Sequence, residues 1–147
     1  MEIEMMDTCN DVTMSIIVPT YNVEKYVAEA LESVLRQDYG EFEVICIDNA
    51  STDGTRKILE KYAALDQRIR LLFNEKNEGI SYSRNRGIEA ANGAYIVFLD
   101  ADDRLAEHAL ERMHKHVMED KVDILFFDAI AEYENEELRK TFGHYKP

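Results

Sequence analysis

The sequence predicts an α/β domain built on a mostly parallel sheet with helices on both faces. Three observations carry that prediction. From residue 14 onward, apolar runs of strand length alternate with amphipathic stretches of helix length. The apolar runs are near-continuous rather than alternating, as expected of strands buried on both sides. Each of the first four runs also ends in a polar cluster, and right-handed crossovers bring the C-terminal ends of parallel strands to one edge, where ligands bind.

The elements follow in order. The first run is Met14-Ser15-Ile16-Ile17-Val18, stopped by Pro19. Tyr26, Val27, Ala30, Leu31, Val34 and Leu35 then recur at helical spacing, with Asn22 as N-cap and Gly40 beyond the end. Residues 42–47 form the second run, followed by a helix from about Asp53 with Ile58, Leu59, Tyr62 and Ala63 as its stripe. Residues 69–73 form the third run, followed by a helix from about Gly79 to Ala91. Tyr95-Ile96-Val97-Phe98-Leu99 is the fourth strand. Leu105, Ala106, Ala109, Leu110, Met113 and Val117 mark a fourth helix, and residues 122–131 read as a fifth strand. The expected organisation is a flexible leader at 1–13, one domain at 14–135 and a polar tail at 136–147.

Composition narrows the function. The 147 residues suffice for one domain with a single core, and 46% hydrophobic against 32% charged residues is a globular balance. A net charge of −13 argues against nucleic acid, which needs a basic face. An anionic small ligand remains compatible if a metal ion and a few placed cations neutralise it locally. No apolar run approaches the roughly 20 residues of a membrane span. The acidic start, MEIEMMDTCND, is not a secretory signal. Cys9 and Cys46 are poorly placed to pair, and Cys46 sits in an apolar run as a small hydrophobe, so the cytoplasm is the expected compartment. His108, His114, His116 and His144 lack the spacing of a helical metal site and are expected in solvent.

The four polar clusters carry the chemistry. They are Pro19-Thr20-Tyr21-Asn22, then Asp48-Asn49-Ala50-Ser51-Thr52-Asp53-Gly54, then Asn74-Glu75-Lys76-Asn77-Glu78-Gly79 with Arg84 beyond, then Asp100-Ala101-Asp102-Asp103. Asp100 and Asp102 lie two apart and can face the same space, a hard-oxygen pair suited to Mg²⁺ or Mn²⁺. A cation there would relieve the repulsion among three acids. Tyr21 offers a face on which a base can stack, and Asp48 and Asn49 offer acceptors to ring N–H groups. Arg84 can contact phosphate, beside a helix N-terminus near Gly79. Together these residues suit a nucleoside diphosphate held through a divalent cation. Taken singly they have plainer readings: Asp102 or Asp103 as the N-cap before Leu105, Tyr21 as a half-buried aromatic, Arg84 as a surface charge, Asp53-Gly54 as turn chemistry. No GxGxxG or GxxxxGK[ST] occurs.

The strings SIIVPTYNVEKYVAEALESVLRQ, EVICIDNASTDGT and NEGISYSRNRGIEAANGAYIVFLDADD resemble the nucleotide-binding half of family 2 glycosyltransferases with the Rossmann-like GT-A fold, over roughly residues 14–131. The resemblance implies inverting transfer of a sugar from a nucleotide-diphosphate donor, a UDP-sugar by preference, with Mn²⁺ or Mg²⁺. It implies a saccharide or lipid-linked acceptor, which could bring the protein to the inner face of the membrane. Thr20 and Tyr21 fall against base and ribose, with Pro19 also among the substrate-binding residues, Asp48 on the first acid of the family's Asp-Asp pair, and Arg84 near the diphosphate. Asn49 replaces the pair's second acid, with a carbonyl that can still accept from a base. Asp100 and Asp102 match the DxD, with Asp102 as the direct metal ligand.

The family's general base lies well beyond the DxD, in an acceptor-binding half. The resemblance therefore places that base beyond Pro147, the last residue of the sequence, and no catalytic base is assigned within it. Glu132, Glu134, Glu136 and Glu137 are poor substitutes in a solvated tail. A donor-binding domain that transfers weakly alone is the leading expectation. A non-catalytic nucleotide-sugar-binding module is the alternative. An aspartyl-nucleophile phosphatase, which wants the DxD on its first strand, is a distant third.

Overall fold

A computed structural model describes residues 13–130. Except for Thr13, the leader lies outside the described residues, as do residues 131–135 and the tail to Pro147. Four strands, β1 (Met14–Thr20), β2 (Phe42–Asp48), β3 (Ile69–Phe73) and β4 (Tyr95–Phe98), form one sheet in the order β3-β2-β1-β4, parallel throughout. Helices α1 (Val27–Leu35), α2 (Thr55–Leu65) and α3 (Ile80–Ala90) connect them, and α4 (Ala109–Asp120) follows β4. The chain divides into two compact units, 1–114 and 115–147.

Strand direction decides which face each helix covers. The steps β1→β2→β3 move one way across the sheet and β3→β4 moves back, so right-handed crossovers put α1 and α2 on one face and α3 on the other. Ile17, Ile45 and Ile47, fully buried, form the core under α3, with Leu72, Ala90 and Ala91 packed against them. Gly87 lets α3 come this close, because a Cβ there would stand 2.5 Å from Ile17 Cγ2 and 3.0 Å from Ile47 Cδ1. The opposite face carries Ile16, Val18, Val44 and Cys46, also fully buried, and α1 turns Val27, Ala30, Leu31 and Val34 inward. Burial raises the Cys46 thiol pKa to about 12, which leaves it an inert hydrophobe at neutral pH.

Four expectations are corrected. β1 does not stop at Pro19 but runs to Thr20. Residues alternate in the side to which their backbone groups point, and Thr20 O accepts Asn49 N–H toward β2 while Ile17 O accepts Leu99 N–H toward β4. Pro19 therefore turns its missing N–H toward the β4 side, beyond the last β1–β4 pair, Ile17 with Phe98, where no ladder bond is lost. Asn22 does not cap α1. It takes φ +52°, donates its N–H to Ser51 Oγ (3.0 Å) and accepts Thr52 N–H (2.8 Å), and α1 begins at Val27.

Leu105 and Ala106 precede α4 instead of opening it, because the segment is tied to α1: Leu105 N–H donates to Ser33 Oγ and Gln37 Nε2 to Ala106 O. The fifth strand is absent among the described residues 122–130, which belong to the second unit. No described strand pairs with them, and an unpaired strand has no ladder to hold it. Ile124, Phe126 and Ile130 are exposed there.

Candidate functional site

The reversal of strand order falls between β1 and β4, and the C-terminal edge on both sides of it gathers the polar clusters. The loops after β1 and β2 are laced together. Besides the Asn22 bonds to Ser51 and Thr52, Val23 N–H donates to Thr55 Oγ1 (2.8 Å), Glu24 N–H to Asp53 Oδ2 (3.1 Å) and Gly54 N–H to Glu24 Oε2 (2.6 Å). Asp53 Oδ1 also accepts Thr55 N–H (2.9 Å), the turn chemistry expected of Asp53-Gly54. Burial would raise the Asp53 carboxyl pKa, but these hydrogen bonds hold it below the usual carboxylate range. Ala50 adopts φ +63°, a left-handed conformation that an alanine enters only under constraint.

This lacing holds Tyr21 at the edge, 45% exposed and with no hydrogen bond from its hydroxyl to another described residue. Pro19 and Thr20 precede it at the end of β1. Thr20 is 2% exposed, and its hydroxyl donates to Ile47 O at 3.2 Å. Asp48 is buried, with Oδ1 accepting Ser51 N–H (3.2 Å), and no described residue bonds to Oδ2.

Asn49 is different: its Oδ1 accepts both Asn74 Nδ2–H (2.7 Å) and Glu78 N–H (3.0 Å). Both carbonyl lone pairs are in use, so a base N–H finds no free acceptor on Asn49.

The acidic turn follows β4. Asp103 N–H donates to Asp100 O (2.9 Å), folding the run back on itself. Helix α4 starts at Ala109, so Asp102 and Asp103 do not cap it, and the plainer reading of these acids fails. Asp100 Oδ1 lies 2.7 Å from Arg84 Nη2, and the Arg84 guanidinium stands 5.5 Å from the Phe98 ring centroid. Arg84 Nε is buried and has no partner among the described residues. The Asp102 carboxylate makes no hydrogen bond or ion pair with another described residue. Burial, then the charges of Asp102 and Asp100, raises the Asp103 carboxyl above its ordinary range.

A second cluster, Asp38, His108 and Glu111, brings donor atoms within 4.8 Å of one another but is exposed and shares no residue with the acidic turn. His114 departs from the expectation of a solvated side chain: it is half-buried and its Nδ1 lies 3.0 Å from the Tyr39 hydroxyl. Sequence reasoning gave Asn74 no role of its own within the third polar cluster and missed Ser83, which is buried inside α3. Glu132, Glu134, Glu136 and Glu137 lie outside the described residues, and so does the general base expected beyond Pro147. Among the described residues, the site is a binding edge without an assigned base.

A four-stranded parallel sheet with its polar groups at the switch point is the architecture of an α/β domain of the GT-A type. The chain belongs to glycosyl transferase family 2, whose family model matches residues 15–144. It is 41% identical over 106 residues, 72% of this chain and 42% of the other, to a putative teichuronic acid biosynthesis glycosyltransferase, TuaG, of Bacillus subtilis. It is 36% identical over 112 residues, 76% of this chain and 37% of the other, to the glycosyltransferase GlyG of Streptococcus pneumoniae. Among solved structures, TarS 1–349 of S. aureus in complex with UDP-GlcNAc superposes with a TM-score of 0.70 at 37% identity, over 74% of this chain and 32% of that one. The mannosyltransferase PcManGT of Pyrobaculum calidifontis, in complex with GDP-Man and Mn2+, gives a TM-score of 0.61 at 30% identity, over 65% of this chain and 29% of that one. The chain thus spans about two fifths of the length of these curated relatives. No helix among the described residues is long and apolar enough to cross a membrane. The phosphatase alternative has no place here, since the DxD follows the fourth strand, at the sheet edge, in a family 2 transferase domain.

Proposed function

We propose that this domain binds the donor of a sugar transfer, a nucleoside diphosphate sugar, across the switch point between β1 and β4, and that the protein transfers the sugar to a saccharide or lipid-linked acceptor hydroxyl. The observation that carries the reading is the acidic turn: Asp102 without a partner among the described residues, beside an Asp100 held by Arg84. The UDP-GlcNAc and GDP-Man complexes of the two structural relatives support it.

Tyr21 offers its exposed ring for base stacking, Asp48 Oδ2 takes a ring N–H, and Pro19 and Thr20 form the floor beneath the ribose. Arg84, with Nη2 engaged by Asp100, offers Nη1 to the diphosphate. The donor set fits a hard divalent cation, Mn²⁺ or Mg²⁺: Asp102 and Asp100 supply carboxylate oxygens, and a cation offsets the mutual repulsion that adds to burial in raising the Asp103 pKa. When bound, the metal would neutralise charge gathering on the departing diphosphate. Transfer is proposed to invert the anomeric centre: the acceptor oxygen bonds to the anomeric carbon as the bond to the diphosphate oxygen breaks on the opposite side. The acceptor's proton then needs a carboxylate base, which this reading places beyond Pro147, in a further part of the protein.

Calorimetric titration with UDP, GDP and dTDP, each with and without Mn²⁺, tests the reading. Metal-dependent binding of one nucleotide is expected, UDP first. A folded chain that binds none of them overturns it, while donor binding without turnover in the whole protein would leave a nucleotide-sugar-binding module.

A further inference from the structure

We propose that Asn49 is a positioning residue that sets Arg84 against the acidic turn. The proposal rests on the donor-site reading above and adds to it a residue that need not touch the donor. Asn49 holds three residues of the loop between β3 and α3 through one amide. Its Oδ1 accepts from Asn74 Nδ2 and from the Glu78 backbone, and its Nδ2 donates to Asn77 Oδ1 at 2.7 Å. Asn77 Oδ1 also accepts Gly79 N–H (3.0 Å), one residue before α3 and at φ +85°. Asn74 Nδ2 reaches Ser83 Oγ (3.2 Å), fully buried and adjacent in sequence to Arg84. Arg86 closes the network by donating to Phe73 O and to Asn74 Oδ1.

The end of β2, the 74–79 loop and the first turn of α3 are thereby one hydrogen-bonded unit. The unit thus fixes the backbone from which Arg84 reaches Asp100 at 2.7 Å. The network also requires an amide at position 49. A carboxylate there would still accept from Asn74 and Glu78 but could not donate to Asn77. Asn77 could answer only by turning its own Nδ2 toward position 49, which takes its Oδ1 away from Gly79 N–H. Asn49→Asp therefore loses part of what Asn49 contributes to the network, and Asn49→Ala loses all three of its bonds.

Two measurements on the full chain decide the matter. In the free protein, amide hydrogen exchange at Glu78 and Gly79 reads the network directly: it should quicken in Asn49→Asp and further in Asn49→Ala. Titration with uridine, and with UDP plus Mn²⁺, reads the consequence at the site. Asn49→Ala should bind UDP with Mn²⁺ about tenfold more weakly, the scale of losing a supporting contact behind a ligand-holding residue, and keep its uridine affinity. Asn49→Asp should fall between. Should Asn49→Ala fail to fold, Ser83→Ala is expected to reproduce the selective UDP loss in smaller measure. Unchanged exchange in both variants overturns the proposal, and so does loss of uridine affinity with the gain from diphosphate and metal intact, which is the signature of a base contact. Wild-type protein that binds neither ligand brings down the donor-site reading itself, and that result is seen before any variant is made.

Discussion

Ala50 stands at φ +63° in the turn after β2, between the buried Asp48 and the lacing through Ser51 and Thr52. Glycine enters that conformation without the Cβ clash, so Ala50→Gly should stabilise the protein by about 1 kcal/mol, less what the freer unfolded chain takes back. A rise of a few degrees in the thermal midpoint checks it. A fall would mean that the Ala50 methyl makes contacts worth more than the strain. In the proposed function Tyr21 serves binding alone, being exposed and unbonded among the described residues. Tyr21→Ala should weaken nucleotide binding by about 1–3 kcal/mol with the thermal midpoint unmoved. Equal UDP affinity in the variant would place the base elsewhere. Asp102→Ala should abolish the Mn²⁺ dependence of that binding in a protein that still folds. If Mn²⁺ strengthens UDP binding as much in the variant, the metal is not held by Asp102.

At the scale of elements, α3 depends on a missing side chain. A Cβ on Gly87 would meet Ile17 and Ile47, whose side chains are locked in the buried core. Gly87→Ala should therefore cost about 1–3 kcal/mol through overpacking, even though alanine is the better helix former. Denaturant titration reads the sign, and a stabilised variant would show that propensity outweighs packing here. The helix also carries Arg84, so any outward shift of α3 should weaken metal-dependent UDP binding alongside stability. A surface glycine would couple the two properties less, because nothing at the site follows its motion.

For the whole molecule, the acid limit of stability should reflect Glu43. It is 5% exposed, yet hydrogen-bond donors surround it: Arg70 Nη1 at 2.6 Å, Ser15 Oγ at 2.7 Å and the Asn92 backbone N–H at 2.6 Å. Burial by itself would raise the Glu43 pKa, but the bonds from Asn92, Arg70 and Ser15 together outweigh it and lower the value. A lowered folded pKa means that the unfolded chain binds the proton more tightly. The stabilisation is thus complete above the ordinary glutamate value of about 4.3 and lost as pH falls through the lower folded value. Glu43→Gln should flatten the pH dependence of unfolding below about pH 4.5, and costs on the order of 2 kcal/mol at neutral pH. An unchanged acid limb would assign acid unfolding to other carboxylates. Glu43 ties β1, β2, β3 and the turn before β4 together at the edge opposite the site, so its loss should leave UDP binding intact in whatever fraction remains folded.

The parallel sheet and its alternation with helices needed no coordinates. Continuous apolar runs broken by amphipathic helices allow few arrangements, and right-handed crossovers then gather Tyr21, Asp48 and Asp100 at one edge. Those features are local in sequence, and local patterns of burial and charge are legible because each residue's role is set by its immediate neighbours along the chain. What the sequence could not decide is how side chains are used when several partners compete. Asn49 reads as an acceptor for a base, yet two donors from a loop 25 and 29 residues away already fill its carbonyl. Asn22 reads as a cap and is instead a brace between loops. Residues 122–130 have the pattern of a strand, but a strand exists only where another offers its edge. Pairing and hydrogen-bond occupancy depend on groups distant along the chain, and only the tertiary structure brings those groups together.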